Sequence, residues 1–341
     1  MSDLVGRLAA PSTCQVPSPH LGLTWRQVQD SDRTQLTRLV VECERFDKSL
    51  HPLGPEAVHG LLAELHDGTA EALAGFDMVG TLRAFGSCSL SPAVGEVLVA
   101  NLAAHITPSW RGRGIGKELF AWQDARVRQL LAAAAQAAPS VTAALVTSLV
   151  DEHLTDRRRL YAAAGFAPVR TFRDMRRSLA EPPPVAPMPT GVRIVPWEPA
   201  RLPDARAAHL VAFADHFGNP ALYEQWWREA TEALEPAWSF LAVQDDETAA
   251  VCGYVLSSAR PWSWSARSLE GYTELIGVTP AGRGNGTARA LIVASLAAMR
   301  QAGMEYAALD VDTANQSGAG AFYARLGYVP EQSQILYALE L

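Results

Sequence analysis

The stretch Val278-Thr279-Pro280-Ala281-Gly282-Arg283-Gly284-Asn285-Gly286-Thr287-Ala288 decides how this chain is read. An apolar strand runs into a proline, then a glycine-rich turn. A helix follows over 288–302, with Ile292, Leu296 and Met299 at i, i+4 and i+7. A helix N-terminus leaves about four backbone N–H groups unpaired and carries partial positive charge. Glycine and alanine let an anion approach those donors closely. An arginine at the loop entrance adds charge-assisted hydrogen bonds. On these grounds the stretch is a diphosphate cradle.

A second copy lies 172 residues earlier, as Ile106-Thr107-Pro108-Ser109-Trp110-Arg111-Gly112-Arg113-Gly114-Ile115-Gly116. Neither copy is a P-loop, because Lys117 is followed by Glu118 and Arg111 stands where the first P-loop glycine is needed. Neither has the GxGxxG spacing of the dinucleotide fold. Each copy is followed by a tyrosine–glycine–aromatic element, Tyr161 to Phe166 and Tyr323 to Tyr328. Each block also opens alike, at 23–28 and 192–197. Repetition at this scale is a domain duplication rather than a solenoid, whose repeats run roughly 20–50 residues.

Between the blocks, residues 181–191 hold five prolines, which no helix interior or central strand accommodates. The expected organisation is a loosely held arm over 1–20, a first domain over 21–180, a proline-rich linker over 181–190 and a second domain over 191–341. Each domain is read as strand, helices, several strands, helix, strand, helix, strand. That order makes an α/β (α+β) fold with a mixed, mostly antiparallel sheet flanked by helices.

The 341 residues are 48% hydrophobic and 19% charged, a globular composition. A net charge of −7 argues against nonspecific nucleic-acid binding. No apolar run approaches the roughly 20 residues that span a bilayer, and the N-terminus lacks a secretory pattern. Cys14, Cys43, Cys88 and Cys252 are scattered and show no metal-ligand spacing. A cytoplasmic protein without metal, monomeric or homodimeric, is the expectation.

The pattern R-x-x-G-x-G/A after a V-x-P strand resembles the acetyl-coenzyme-A signature of the GNAT superfamily of N-acetyltransferases. The two-block arrangement is similar to that of tandem, mycothiol-synthase-like actinobacterial enzymes. The resemblance covers nearly all of both blocks. It implies acetyl-CoA as acyl donor, held by Ile276, Gly277, Val278, Arg283, Gly284, Asn285, Gly286, Thr287 and Ala288. In block one it implies the same of Ile106, Arg111, Gly112, Arg113, Gly114, Ile115 and Gly116. It also implies a splayed central strand at Leu275–Val278, with Ala103–Ile106 its counterpart. Glu274 resembles the family's general base, and Tyr323 the tyrosine that protonates the departing sulfur. Asn315 resembles the asparagine at the pantetheine arm.

Block one departs from this pattern, with Leu102 where block two has Glu274 and His153 where it has Asn315. Catalysis is therefore expected in block two, with block one structural or cofactor-binding. The family builds its acceptor pocket from regions that here read His216 to Asn219, Tyr223, Trp226, Trp227 and Pro261 to Trp264. Asp215 and Glu224 are read either as carboxylates that attract an ammonium group or as a solvated helix face. A small-molecule amine is the expected acceptor. A non-catalytic acetyl-CoA sensor and a protein-lysine acetyltransferase are the alternatives.

Overall fold

The structure, a computed structural model, describes residues 4–19, 22–50, 54–94, 96–138, 140–214, 220–260, 269–313 and 318–341. It forms two compact units, Met1–Thr171 with Gln334–Leu341, and Phe172–Ser333.

Unit 1 opens with helix α1 (Leu4–Leu8). Leu4 and Leu8 are one helical turn apart, and both are 0% exposed in the unit's main core. The backbone behind them is tied down as well. Arg128 donates to the Leu8 carbonyl at 2.9 Å and Gln129 to that of Pro11 at 2.8 Å. The expectation of a loose arm over 1–20 is thus corrected at these positions: five helical residues are too few to show periodicity, yet enough to bury two leucines.

There follow β1 (Thr24–Gln27), α2 (Arg33–Asp47), α3 (Gly54–His66), β2 (Ala70–Phe76), β3 (Leu82–Val94) and β4 (Val97–Ile106). Then come α4 (Ile115–Ala137), β5 (Ala143–Asp151), α5 (Thr155–Ala163) and β6 (Ala167–Ser178). The sheet of unit 1 runs β1-β2-β3-β4-β5, and residues 334–340 complete it beside β5. Only β4 and β5 are parallel.

Unit 2 contains β7 (Val192–Pro196), α6 (Leu202–Ala212), α7 (Pro220–Glu232), β8 (Phe240–Gln244), β9 (Val251–Arg260) and β10 (Glu270–Val278). After these come α8 (Thr287–Gln301), β11 (Tyr306–Asp312), α9 (Ala319–Arg325) and the first part of β12 (Val329–Glu340). Its sheet runs β11-β10-β9-β8-β7, and residues 172–178 of β6 lie beside β11. Again a single pair, β10 and β11, is parallel.

Each unit therefore takes its sixth strand from the other sequence block. Polar contacts pin both strands. In unit 2 the Arg176 guanidinium meets Glu270 at 2.6 Å and stacks 3.6 Å over the Tyr306 ring. In unit 1 Gln334 donates to Asp151 at 2.7 Å. Residues 181–190 hold neither helix nor strand. They are anchored to unit 2 by Arg177 on the Pro182 carbonyl and Arg289 on that of Val185.

The sheet of unit 2 has a core on each face. Leu291, Ile292, Leu296 and Met299 of α8 form one together with Tyr323. Ala205 of α6 and Trp227 and Ala230 of α7 form the other.

Candidate active site

The site is built on β10. Its parallel ladder with β11 runs from Glu270↔Tyr306 to Thr273↔Leu309 and then stops. Its antiparallel ladder with β9 continues to Val278↔Gly253. The central strand thus parts from one neighbour while staying held by the other.

At the parting point the β9 register shifts by one residue, between Thr273 and Leu275. Glu274 is the extra residue of this β-bulge. A bulge puts two successive side chains on one face of the sheet and bends the strand. Glu274 and Leu275 both face α6 and α7. There the half-buried Glu274 accepts a 2.5 Å hydrogen bond on Oε1 from the Ser258 hydroxyl.

Beneath the strand lies a buried aromatic floor. Tyr254 is fully buried and hydrogen-bonded to His209 Nδ1 at 2.5 Å, with Trp227 edge-on at 5.5 Å. Burial holds the Tyr254 phenol well above its usual range. A Cβ at position 277 would lie 2.5 Å from this ring, so the strand passes over it only as glycine. Trp227 thus belongs to the floor rather than to a pocket wall. Glu224 is engaged by Arg206, which removes it as a free ammonium-attracting group.

At its C-terminal end β10 enters the glycine loop. Gly286 caps α8 with φ +91°, a left-handed conformation that favours glycine. Asn285 Oδ1 accepts from the Thr287 N–H at 3.2 Å and from its hydroxyl at 2.6 Å, so this side chain closes the turn that leads into the helix. Arg283 reaches back rather than out. Its Nε donates to the Val278 carbonyl and one Nη to that of Ala212, each at 3.0 Å. No carboxylate binds it among the described residues, and the first turn of α8 holds no acidic side chain.

Ile276 and Val278 turn to the α8 face and pack on the cluster that contains Tyr323. Tyr323 is buried between Phe322 and Tyr328, with ring centroids at 5.0 and 5.8 Å. Burial raises its phenol above the ordinary value, so it holds its proton at neutral pH. Glu274 and Tyr323 therefore attach to β10 from opposite faces. Asp215 to Asn219, Pro261 to Trp264 and Asn315 lie outside the described residues.

Unit 1 repeats the loop but not the site. Its β4–β5 ladder also stops early, at Asn101↔Thr147. The β3–β4 register, however, passes through Cys88↔Leu102 without a bulge. The opened segment is sealed from within. Ser148 donates to the Leu102 carbonyl at 3.2 Å and Gln123 to that of Ala103 at 2.9 Å. The Ile106 carbonyl receives Arg111 Nε at 2.9 Å and the Cys43 thiol at 3.2 Å.

The rest of the Arg111 guanidinium lies bidentate on Asp47, at 2.5 and 3.0 Å. The Asp47 side chain is 3% exposed and also meets Arg157 at 3.3 Å, while its carbonyl contacts His153 at 2.6 Å. Glu118 adds an acidic group to the first turn of α4. The arginine that leads into Gly112 to Gly116 is thus already paired with a buried carboxylate, which it shares with Arg157.

His105 stands where unit 2 has Gly277. It is buried beside Phe85, and its Nδ1 has no hydrogen-bond partner. Burial, with the nearby Arg157 and Arg111, pushes the imidazole down to about 3. An unfolded histidine titrates near 6.5, so between these values the unfolded chain binds the extra proton. Stability should therefore fall as pH drops from about 6.5, with a slope approaching 1.4 kcal/mol per pH unit. Urea unfolding across that range measures it, and His105→Leu should flatten the slope. Equal slopes in both proteins would exclude His105 as the cause.

Sequence reasoning missed Ser258, Asp47 and the bulge. A signal for the first was present, since Ser257 and Ser258 interrupt an otherwise apolar strand. Their hydroxyls serve opposite faces, Ser257 bonding Ser295 of α8 at 2.9 Å.

A central strand that splays from its parallel neighbour and ends in a glycine-rich helix entry fits the acetyltransferase class that the motifs resemble. Residues 202–328 match the acetyltransferase (GNAT) family. Over 323 residues the chain is 31% identical to a mycothiol acetyltransferase of Actinosynnema mirum, an alignment covering 93% of this chain and 99% of that one. A mycothiol acetyltransferase of Thermobispora bispora is 31% identical over 287 residues, covering 83% and 84%.

Among solved structures, a GCN5-related N-acetyltransferase from Sphaerobacter thermophilus superposes with a TM-score of 0.70 at 22% identity, covering 96% and 97% of the two chains. A tandem GNAT protein from the clavulanic acid biosynthesis pathway gives 0.62 at 16% identity, covering 93% and 98%. The chain belongs to the GNAT family of N-acetyltransferases, in its tandem two-domain form. Among the described residues no helix is long and apolar enough to cross a membrane, and no three His, Cys, Asp or Glu side chains converge as a metal site.

Proposed function

We propose that the chain transfers the acetyl group of acetyl-CoA to a primary amine of a small molecule, and that unit 2 performs the reaction. The observation that carries this reading is the coincidence, at one residue of β10, of a carboxylate, a bulge and the parting of two parallel strands. Unit 1 has the parting alone, and its own side chains fill it.

The opened edge from Leu275 to Val278 lies beside the positive end of α8. Among the described residues, none of the carbonyls of Leu275, Ile276 and Gly277 accepts a side-chain hydrogen bond. Backbone groups here are free to hold the pantetheine arm, and the loop from Arg283 to Ala288 to hold the diphosphate. Glu274 takes the proton that the acceptor ammonium must lose before its nitrogen attacks the acetyl carbon. As the C–N bond forms and the C–S bond breaks, Tyr323 supplies a proton to the sulfur. A phenol that stays protonated at neutral pH suits that task.

The names of the relatives support an acceptor from mycothiol chemistry, and a cytoplasmic setting follows from such a substrate. The test is thiol release from acetyl-CoA in the presence of the des-acetyl precursor of mycothiol, against simple amino sugars and lysine peptides. Acetylation of the mycothiol precursor is the expected result. Preferential acetylation of the peptides would replace the small-molecule reading, and no release with any acceptor would overturn it.

A further inference from the structure

We propose that Ser258 is a positioning residue for the reaction in unit 2, holding the Glu274 carboxylate in the orientation that receives the acceptor's proton. The inference rests on the reading of Glu274 as general base.

Glu274 is the one residue of β10 between Glu270 and Val278 with no register partner on β9, since Thr273 faces Ser257 and Leu275 faces Leu256. The ladder that fixes its neighbours does not fix it. A half-buried glutamate with three side-chain torsions, and no register partner on either neighbouring strand, would sample several rotamers. Ser258 supplies the missing constraint. It sits opposite Tyr272, on the same face and one step along the strand, and is 3% exposed.

Its hydroxyl lies 2.5 Å from Oε1. A carboxylate only accepts, so the serine proton points at Oε1. Oε2 has no partner among the described residues, so one oxygen is anchored and the other is left to take the proton.

The other ionisable groups on this face are already committed. Glu270 is paired with Arg176, Tyr254 with His209, and Arg206 of α6 with Glu224 of α7. Tyr272, and on the same face Asp310 and Asp312 of β11 and Asp174 of β6, have partners of their own. In unit 1 the position of Glu274 is Leu102, and no carboxylate there calls for an anchor.

The experiment compares wild type with Ser258→Ala and Ser258→Thr. Thr keeps the hydroxyl and suits a strand. In the Ala variant kcat should fall by about tenfold, with KM for acetyl-CoA and its calorimetric binding unchanged. Thr should restore kcat.

An Ala variant with wild-type kcat would overturn the proposal. So would equal losses in Ala and Thr, which would mark a packing role. Glu274→Gln separates the two levels. If it is fully active, the general-base reading falls. If it is inactive while Ser258→Ala is unaffected, only the positioning role falls.

Discussion

Glu274→Gln should lower kcat by about 10²- to 10⁴-fold, the span that a well-placed general base contributes. The amide has the shape of the carboxylate, and its carbonyl still accepts from Ser258. The bulge, the floor under Gly277 and the loop before α8 should therefore stay as they are. What disappears is the oxygen that accepts the proton. Binding of acetyl-CoA should be unchanged by calorimetry, because Glu274 faces α6 and α7 while the loop follows the strand's C-terminal end and Tyr323, on α9, packs against its other face. Steady-state kinetics with saturating acetyl-CoA measures the effect. A variant retaining half of the wild-type kcat would remove Glu274 from the mechanism.

The whole protein should bind one equivalent of acetyl-CoA, not two. Arg283→Glu should weaken that binding by on the order of 100-fold, through lost charge-assisted hydrogen bonds and added repulsion. The contrast lies in how each arginine is used. Both donate Nε to the strand carbonyl five residues back. Beyond that shared tie, Arg283 meets a neutral carbonyl and Arg111 a buried carboxylate. A diphosphate entering unit 1 would have to displace Asp47 from two arginines and break the Ser148 bond across the opened strands. Two equivalents in the calorimeter would show that this displacement occurs and would return unit 1 to the cofactor-binding role that its motif implies.

Much of unit 2 was legible in the sequence because glycine and proline punctuate it. Pro280 ends β10, and Gly286 opens α8 one residue from where periodicity places it. The carboxylate at 274 was legible too, since its counterpart by offset is a leucine. The bulge was not, because Thr273-Glu274-Leu275 reads as plain alternation and a register shift depends on the partner strand. Nor was Asp47, which reaches Arg111 from a helix 64 residues earlier in the chain. The pairing of residues 172–178 and 334–340 had no local signal at all. Both segments follow the same Tyr-x-x-x-Gly element, and either would serve as an edge strand of similar character.

That pairing bears on why a unit with a filled cleft persists in the gene. A chain cut within the proline linker would yield two fragments, each missing the strand that closes its own sheet and each carrying the strand meant for the other. Such halves would expose unpaired backbone edges and be prone to aggregation when made separately. Made together, they would be able to complement one another, as the pieces of a split protein do. Loss of the first half as a redundant copy is therefore closed to evolution by a simple route. Deleting the first half would also delete a strand from the sheet of unit 2.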